Sequence, residues 1–275
     1  MYTDCKITDI HTHIFPPNIA ESTINLLKEN ILRESGVRAE AYTDATEGGL
    51  RLSMEKSGVA LSVVLPVLTN PKSFDSVNSF AKKLNDISSG IMSFAGIHPL
   101  SDDISGSLEK IKEMGFKGIK LHPEFQSFFI DSKEGIAVLK EAERLGLYTV
   151  IHCGIDLGMP KPVHCAPKAL SNVLSEVSGR FIIAAHLGGL FMFDDVLKYL
   201  AGTDIMLDTA YVCGNVPPDT IKEIIKAHGS EKVLFGSDSP WGSQSVSVEC
   251  IKSLNLPKAD YENIMYRNAA RILSP

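Results

Sequence analysis

Short apolar runs rich in β-branched residues alternate along the chain with stretches whose apolar positions recur at helical spacing. Eight such units can be counted. The predicted strands cover residues 6–13, 59–67, 91–98, 118–122, 148–154, 180–186, 204–210 and 232–238. Regular alternation of strands and helices predicts an α/β fold with a parallel sheet.

Helical periodicity is clearest over residues 107–114, 133–145, 166–177 and 219–228, and a final helix is predicted over 261–273. Eight strand-helix units in 275 residues match the size of a (β/α)8 TIM barrel, typically about 250 residues. An open doubly wound sheet is the alternative. It is disfavoured because no Gly-x-Gly-x-x-Gly turn follows the first strand. We therefore predict a single barrel domain over residues 1–275, with an elaborated first loop and helix over 19–46.

Charge and composition disfavour some classes of partner and some cellular compartments. With 27 Lys and Arg against 33 Asp and Glu, the net charge is −6, which disfavours nucleic acid and anionic membranes as partners. No apolar run is long enough to span a bilayer, and five scattered cysteines without a C-x-x-C pair fit a reducing compartment. We expect a cytoplasmic protein that acts on a small molecule; homo-oligomerisation is left open.

Polar chemistry gathers at the ends of the predicted strands. Besides His11, which lies inside the first strand, five histidines lie at or near a strand end: His13, His98, His122, His152 and His186. The carboxyl ends of the strands carry the active site in (β/α)8 barrels. The histidines are therefore expected to converge on the functional rim.

The first strand contains a His-x-His pair. Side chains alternate along a strand, so Asp9, His11 and His13 are predicted to share a face, with the two imidazoles about 6 to 7 Å apart at Cα. Two neutral imidazoles at this spacing can bind one metal ion at about 2.0 to 2.1 Å. The alternative is a pair of hydrogen-bonded polar residues on a half-exposed strand.

Later strands supply further candidates. His152, His186 and Asp238 each follow an apolar run that would enter a dry core. A catalytic divalent ion takes three or four protein ligands and lowers the pKa of a bound water towards about 7. A carboxylate beside that water can accept its proton, and an unliganded histidine can polarise the substrate or transfer a proton. Asp238 and His186 fit these two roles.

Four segments together resemble the second amidohydrolase family, a group of metal-dependent (β/α)8 barrels. They are His11-Thr12-His13, His152, Ala185-His186-Leu187-Gly188-Gly189 and Phe235-Gly236-Ser237-Asp238-Ser239-Pro240-Trp241, in the family's order. The resemblance implies His11, His13 and His152 as ligands of one divalent ion, usually zinc, with Asp238 as ligand or proton acceptor. It implies His186 as a general acid or base, or as a ligand of a second ion.

Lys120 ends the fourth strand and shares a face with His122. In two-metal relatives a carboxylated lysine on this strand bridges both ions, so a second ion held by Lys120 and His186 is one interpretation. The favoured one is that Lys120 binds a substrate carboxylate. We also predict that His122 and His164 contact the substrate, although a loop histidine such as His164 is ordinarily solvated.

For three other residues, the sequence gives weaker evidence of a specific role. Asp208 ends the seventh strand and is predicted either to orient a ligand histidine or to cap a turn. His98 precedes a proline, which favours extended backbone and is sufficient to explain the end of its strand. His228 precedes Gly229 and is predicted to stabilise the carboxyl end of a helix.

The leading functional hypothesis is metal-dependent hydrolysis of a small anionic amide, ester or lactone through an activated water. Non-oxidative decarboxylation or hydration by the same family is the alternative, because one set of groups serves all three reactions. A barrel that binds a ligand without turnover is the third hypothesis. It is disfavoured because every candidate catalytic position holds a competent residue.

Overall fold

The computed structural model describes residues 6–87 and 90–274. Its strands are short, and most of their residues are buried, as expected of parallel strands covered by helices. They are β1 (Ile7–Thr12), β2 (Val59–Val64), β3 (Ile91–Ser93), β4 (Ala95–Gly96), β5 (Gly118–Leu121), β6 (Tyr148–Ile151), β7 (Ile182–Ala184), β8 (Met206–Asp208) and β9 (Val233–Leu234).

All paired strands run parallel and pair in chain order, as β1-β2-β3 and as β4 to β9. Phe94 alone separates β3 from β4, and its N–H donates to the Val64 carbonyl at 2.9 Å. Backbone bonds also join the first strand to the chain after β9: Ile10 N–H donates to the Phe235 carbonyl at 2.9 Å, and Asp238 N–H to the His11 carbonyl at 2.9 Å. The strands thus follow the (β/α)8 barrel order, with an irregular ladder at these two junctions.

Helices alternate with the strands. They are α1 (Pro17–Ser35), α2 (Glu47–Ser57), α3 (Phe74–Ile87), α4 (Ile104–Glu113), α5 (Pro123–Gln126), α6 (Lys133–Arg144), α7 (Pro167–Val173), α8 (Phe193–Tyr199), α9 (Pro218–His228), α10 (Gln244–Ser253), α11 (Lys258–Glu262) and α12 (Asn268–Leu273). Local sequence sets their ends: before α2, the Thr46 side chain accepts from Gly49 N–H, and Gly58 ends the helix at φ 72°.

Two apolar layers hold the fold together. Inside the ring of strands, Ile10, Val63, Phe94, Val150 and Ile183 pack against one another. A larger layer lies between the strands and the surrounding helices. Because these interior side chains fill the barrel, the cavity lined by the predicted site residues opens above them, at the carboxyl ends of the strands.

All eight predicted strands are found, the third in two pieces. The helix predicted over 166–177 is shorter, since α7 ends at Val173 and turns follow. The helix predicted over 261–273 is divided into α11, the wider turn Asn263–Arg267 and α12. Within the described residues, no helix combines the length and apolar character required to cross a bilayer.

Candidate active site

A cavity of about 800 Å³ opens at the carboxyl ends of the strands. The predicted site residues that line it are His11, His13, Lys120, His122, His152, His186 and Asp238. They come from β1, β5 and the loops that follow β5, β6, β7 and β9, so the barrel gathers residues that are far apart in sequence. Of the histidines expected to converge on this rim, His11, His13, His122, His152 and His186 line the cavity, whereas His98 does not.

His11, His13 and Asp238 form one compact group. Their candidate ligand atoms lie within 4.8 Å of one another. Asp238 Oδ1 is 3.4 Å from His11 Nε2 and 3.3 Å from His13 Nε2. All three side chains are largely buried, with exposures of 1% for His11, 15% for His13 and 11% for Asp238.

Hydrogen bonds on the far side of each ring fix the protons. His13 Nδ1 lies 2.8 Å from the Leu65 carbonyl, which only accepts, so Nδ1 carries the proton. His11 Nδ1 similarly donates to Asp208 Oδ2 at 2.8 Å, while Asp208 Oδ1 accepts from the backbone N–H groups of His186 and Ala210, so Asp208 makes contacts of both kinds that were predicted for it. In the neutral form of each ring, the Nε2 lone pair therefore points towards the carboxylate of Asp238.

Three acceptors facing one another favour a bound cation, and the Lys120 ammonium lies 3.2 Å from one of them, His11 Nε2. Burial, together with the charge of Lys120, lowers the pKa of His11 well below 6.5, so a proton on this ring is disfavoured. Burial alone would raise the pKa of Asp238, but a hydrogen bond from His13 and positive charge on the neighbouring histidines lower it to about 2; with the rings neutral, a bound cation would supply that positive charge. The group thus keeps its carboxylate ionised when a cation is present, and its two nitrogens and one oxygen suit a divalent metal ion.

Asp238 and His186, the two predicted catalytic residues, both have backbone in the left-handed region, with φ of 68° and 58°. Asp and His are among the residue types that tolerate this region, which is otherwise unfavourable for side chains with a Cβ. Such conformations concentrate at functional sites, where surrounding contacts hold them. For Asp238, the bond from its N–H to the His11 carbonyl is one of these contacts.

His186 links the compact group to the rest of the site. Its Nδ1 donates to the Ala210 carbonyl at 2.9 Å, so its Nε2 accepts from His152 Nδ1 at 3.0 Å. The second nitrogen of His152, Nε2, therefore bears a lone pair. It is buried and has no hydrogen-bond partner among the described residues. Such an atom is suited to a metal ion or to a proton of the substrate.

His152 is grouped with His122 and Asp156 rather than with His11 and His13. The His122 and His152 rings are stacked, with centroids 4.2 Å apart and planes at 13°. A metal ion lies in the plane of the imidazole that binds it, so one ion cannot serve two parallel rings. His122 Nδ1 also accepts from Phe125 N–H at 3.4 Å, which leaves the proton on Nε2. His122 is therefore a donor, directed at Asp156 Oδ2 3.4 Å away.

Lys120 is almost completely buried, with 1% exposure. Its Nζ lies 3.2 Å from His11 Nε2, and within the described parts of the chain no carboxylate is close enough to form an ion pair with it. Burial lowers its pKa from 10.5 to about 8, against the opposing charges of Asp208 and Asp238. A buried ammonium next to the candidate metal group is a favourable place for an anion.

Two sequence expectations need correction. His164 does not line the cavity; its Nδ1 and backbone N–H both bond to the buried Glu124, so it joins the loop after β6 to α5 instead of facing a substrate. Asp9 does not share the face of His11 and His13, because the β1 register shifts between Asp9 and Thr12. Its carboxylate instead accepts from Ser237 N–H and Gln244 Nε2 at 3.0 and 2.8 Å.

Asp156 is the functional candidate that sequence reasoning missed. It lines the cavity five residues after β6, where a loop carboxylate gives no distinctive pattern. One of its oxygens accepts from Gly158 N–H at 2.7 Å, and the other faces His122 and His152. The spacing His152-x-x-x-Asp156 after a strand end was the available indication.

A family model described as amidohydrolase matches residues 8–274. A search of curated proteins finds no match. Among solved structures, a 2,6-dihydroxybenzoate decarboxylase from Rhizobium is similar, with a TM-score of 0.68, 16% identity and coverage of 98% of each chain.

Two further structures share the fold. A 5-carboxyvanillate decarboxylase from Novosphingobium aromaticivorans, complexed with manganese and 4-hydroxy-3-methoxy-5-nitrobenzoic acid, has a TM-score of 0.69 at 12% identity, covering 98% of this chain and 96% of the other. A probable 2-pyrone-4,6-dicarboxylic acid hydrolase from Acinetobacter baumannii, with citric acid bound, has a TM-score of 0.65 at 15% identity, covering 97% and 98%. At these identities the likeness establishes the fold alone.

Proposed function

The chain belongs to the amidohydrolase family, a metal-dependent family, and on this basis we propose that it hydrolyses a small anionic amide, ester or lactone. The observation that carries the proposal is the convergence of His11 Nε2, His13 Nε2 and Asp238 Oδ1, three acceptors that a divalent cation would satisfy together. His152 is proposed as a further ligand, because its buried Nε2 has no hydrogen-bond partner among the described residues.

Zinc is the proposed ion, since imidazole nitrogens with one carboxylate form a common zinc site. Manganese is the second candidate, because it accompanies the Novosphingobium decarboxylase. When bound, the ion supplies a Lewis acid and lowers the pKa of a water towards about 7. Element analysis of the purified protein distinguishes the two metals and gives the number of ions per chain.

The proposed proton acceptor is Asp238. Its carboxylate takes a proton as the water oxygen bonds to the substrate carbonyl carbon. That proton leaves with the amine or alcohol when the C–N or C–O bond breaks. His186 is proposed as the second acid or base, because its Nε2 can exchange a proton with His152 Nδ1 3.0 Å away.

Lys120 and His122 are proposed to bind the substrate. The ammonium of Lys120 would pair with a substrate carboxylate, and the Nε2–H of His122 would donate to a substrate oxygen in place of Asp156. His164 has no role in this proposal, since it is bonded to Glu124 away from the cavity.

Non-oxidative decarboxylation is the second candidate function. It is favoured by the position of Lys120, which would hold a carboxylate beside the candidate metal group, and by two similar structures whose enzymes are decarboxylases. Mass analysis of products separates the candidates: hydrolysis adds one water, which divides an amide or ester into two products and opens the ring of a lactone, whereas decarboxylation releases carbon dioxide. Absence of turnover on a broad panel of esters, lactones, amides and aromatic acids, at full metal occupancy, would contradict both.

A further inference from the structure

The cavity is larger than the proposed chemistry needs. It encloses about 800 Å³, near the upper end of the range of about 300 to 1,000 Å³ for sites of drug-sized ligands. A metal ion, a water and a carboxylate would occupy only its floor. The remaining volume extends away from the strand ends, beneath α1.

Helix α1 forms the roof of this volume. Ile19, Thr23, Leu27 and Ile31 are spaced four residues apart, so they share one face of the helix, and all four line the cavity. At 1.5 Å per residue they span about 18 Å. Three of these four residues are apolar, although Asn18 and Asn30 of the same helix also line the cavity, so a roof of this length is suited to an extended, largely apolar ligand.

Few residues of α1 are buried against the rest of the protein. Of the 19 residues of α1, only Ala20 and Ile24 are buried. At its far end the helix meets the loop after β6, where a Cβ added to Gly158 would lie 3.2 Å from Ile31 Cγ1. Leu27 and Ile31 are half-buried, with apolar surface facing the cavity and no core to cover it.

The opposite walls are largely apolar: Val67 and Leu190 from loops, Phe80 from α3 and Phe125 from α5 line them, together with the polar Thr69 and Ser76. A wholly polar substrate would leave these walls and the roof in contact with water. Apolar surface gains free energy when a ligand removes it from water. The polar floor and the apolar roof therefore call for a ligand with one anionic end and one apolar end.

We propose that the substrate is an elongated amphipathic carboxylate, with its anionic end at Lys120 and an extended acyl or aryl group beneath α1. This inference rests on the proposed function for the anionic end, and adds the apolar group and its place.

The test uses saturated carboxylates as inert probes: butanoate, hexanoate, octanoate and decanoate, titrated into the purified metal-bound protein by calorimetry. Each buried methylene can strengthen binding by up to about fourfold. We expect decanoate to bind at least about tenfold more tightly than butanoate, because ordering of the chain offsets part of the gain.

Two neighbouring residues provide a matched pair of variants. Leu27→Trp would fill the cavity beneath α1, whereas Leu26, which is 57% exposed and does not line the cavity, is the control as Leu26→Trp. We expect Leu27→Trp to abolish the advantage of decanoate and to leave butanoate binding unchanged. Leu26→Trp should preserve the whole series.

Affinity that does not increase with chain length would overturn the inference while leaving anion binding intact. Equal losses in both Trp variants would overturn the assignment to the α1 roof. If no carboxylate binds, the anionic end and the inference are both wrong. Metal content and product analysis are independent of these titrations, so the proposed hydrolysis can fail or stand separately.

Discussion

Replacing Lys120 with Met separates the effect of the buried lysine on folding stability from its effect on function. In the folded protein, burial lowers the pKa of Lys120 from 10.5 to about 8. At about 1.4 kcal/mol per pKa unit, keeping this ammonium charged costs about 3 kcal/mol of folding free energy at pH 7. Methionine has a similar shape without the charge. We expect Lys120→Met to stabilise the metal-free protein by up to about 3 kcal/mol.

The pH dependence follows from the sign of the change. Between pH 8 and pH 10.5 the unfolded chain binds more protons at this lysine than the folded chain does, so the stability of the unsubstituted protein rises with pH. The advantage of Lys120→Met should be complete below about pH 8 and disappear by about pH 10.5. Urea unfolding at pH 7, 9 and 10.5 measures it, and at pH 7 the melting temperature should rise by about 5 to 10 °C.

Function should change in the opposite direction. If Lys120 pairs with a substrate carboxylate, metal content stays unchanged and KM rises about tenfold or more, since a charge-assisted contact contributes about 1.5 to 3 kcal/mol. If Lys120 instead bridges two ions as a carbamate, metal content falls from two ions towards one or none. Element analysis of the variant distinguishes these outcomes before any substrate is known.

Lys226→Met, on the exposed side of α9, is the control for loss of a surface lysine. Its stability should stay within about 0.5 kcal/mol of the parent at every pH. The reasoning is refuted if Lys120→Met is no more stable than the parent at pH 7, or if its metal content and KM for an anionic substrate are both unchanged.

Three further variants test the metal group. The double variant His11→Ala and His13→Ala should lose its divalent ion in element analysis; full retention would contradict the ligand assignment. Asp238→Asn keeps the shape and removes the proton acceptor, so kcat should fall about 10² to 10⁴-fold in steady-state assays, and unchanged turnover would exclude the role. Asp208→Asn weakens the acceptor that fixes the proton of His11, so metal affinity measured by chelator competition should fall about 10 to 100-fold. Unaltered affinity would show that Asp208 serves the fold alone.

The barrel order was predictable because strand and helix differ in period and because each apolar strand ends at a polar residue. Finer features depend on contacts between distant segments. The interruption at Phe94 follows from its packing inside the barrel, and the early end of α7 at Val173 is followed by turns that helical spacing alone cannot predict.

The site was predictable where a residue ends a strand. His11, His13 and Asp238 meet because parallel strands end on one rim. Loop residues were harder to place. His164 is of a residue type that often binds substrates or metals, but its side chain bonds to Glu124. Asp156 lines the cavity although no distinctive sequence pattern marks it. The sheet fixes the direction of a side chain at a strand end, whereas the direction of a loop side chain depends on its hydrogen-bond partners.

The positions of the protons on the site histidines depend on the fold and determine which ring nitrogens can bind a cation. The acceptors that hold the Nδ1 protons of His13, His11 and His186 are the Leu65 carbonyl, Asp208 and the Ala210 carbonyl. Leu65 and Ala210 follow the strands next to those of their histidines, whereas Asp208 ends β8, which is separated from β1 by β9. Strand register therefore decides which nitrogen of each ring is free. Because these bonds form within the folded protein itself, the lone pairs of His11 and His13 are already directed at Asp238 before a cation binds. A small shift of register would exchange donor for acceptor at the site, so the stability of the barrel rim and the affinity for metal should vary together.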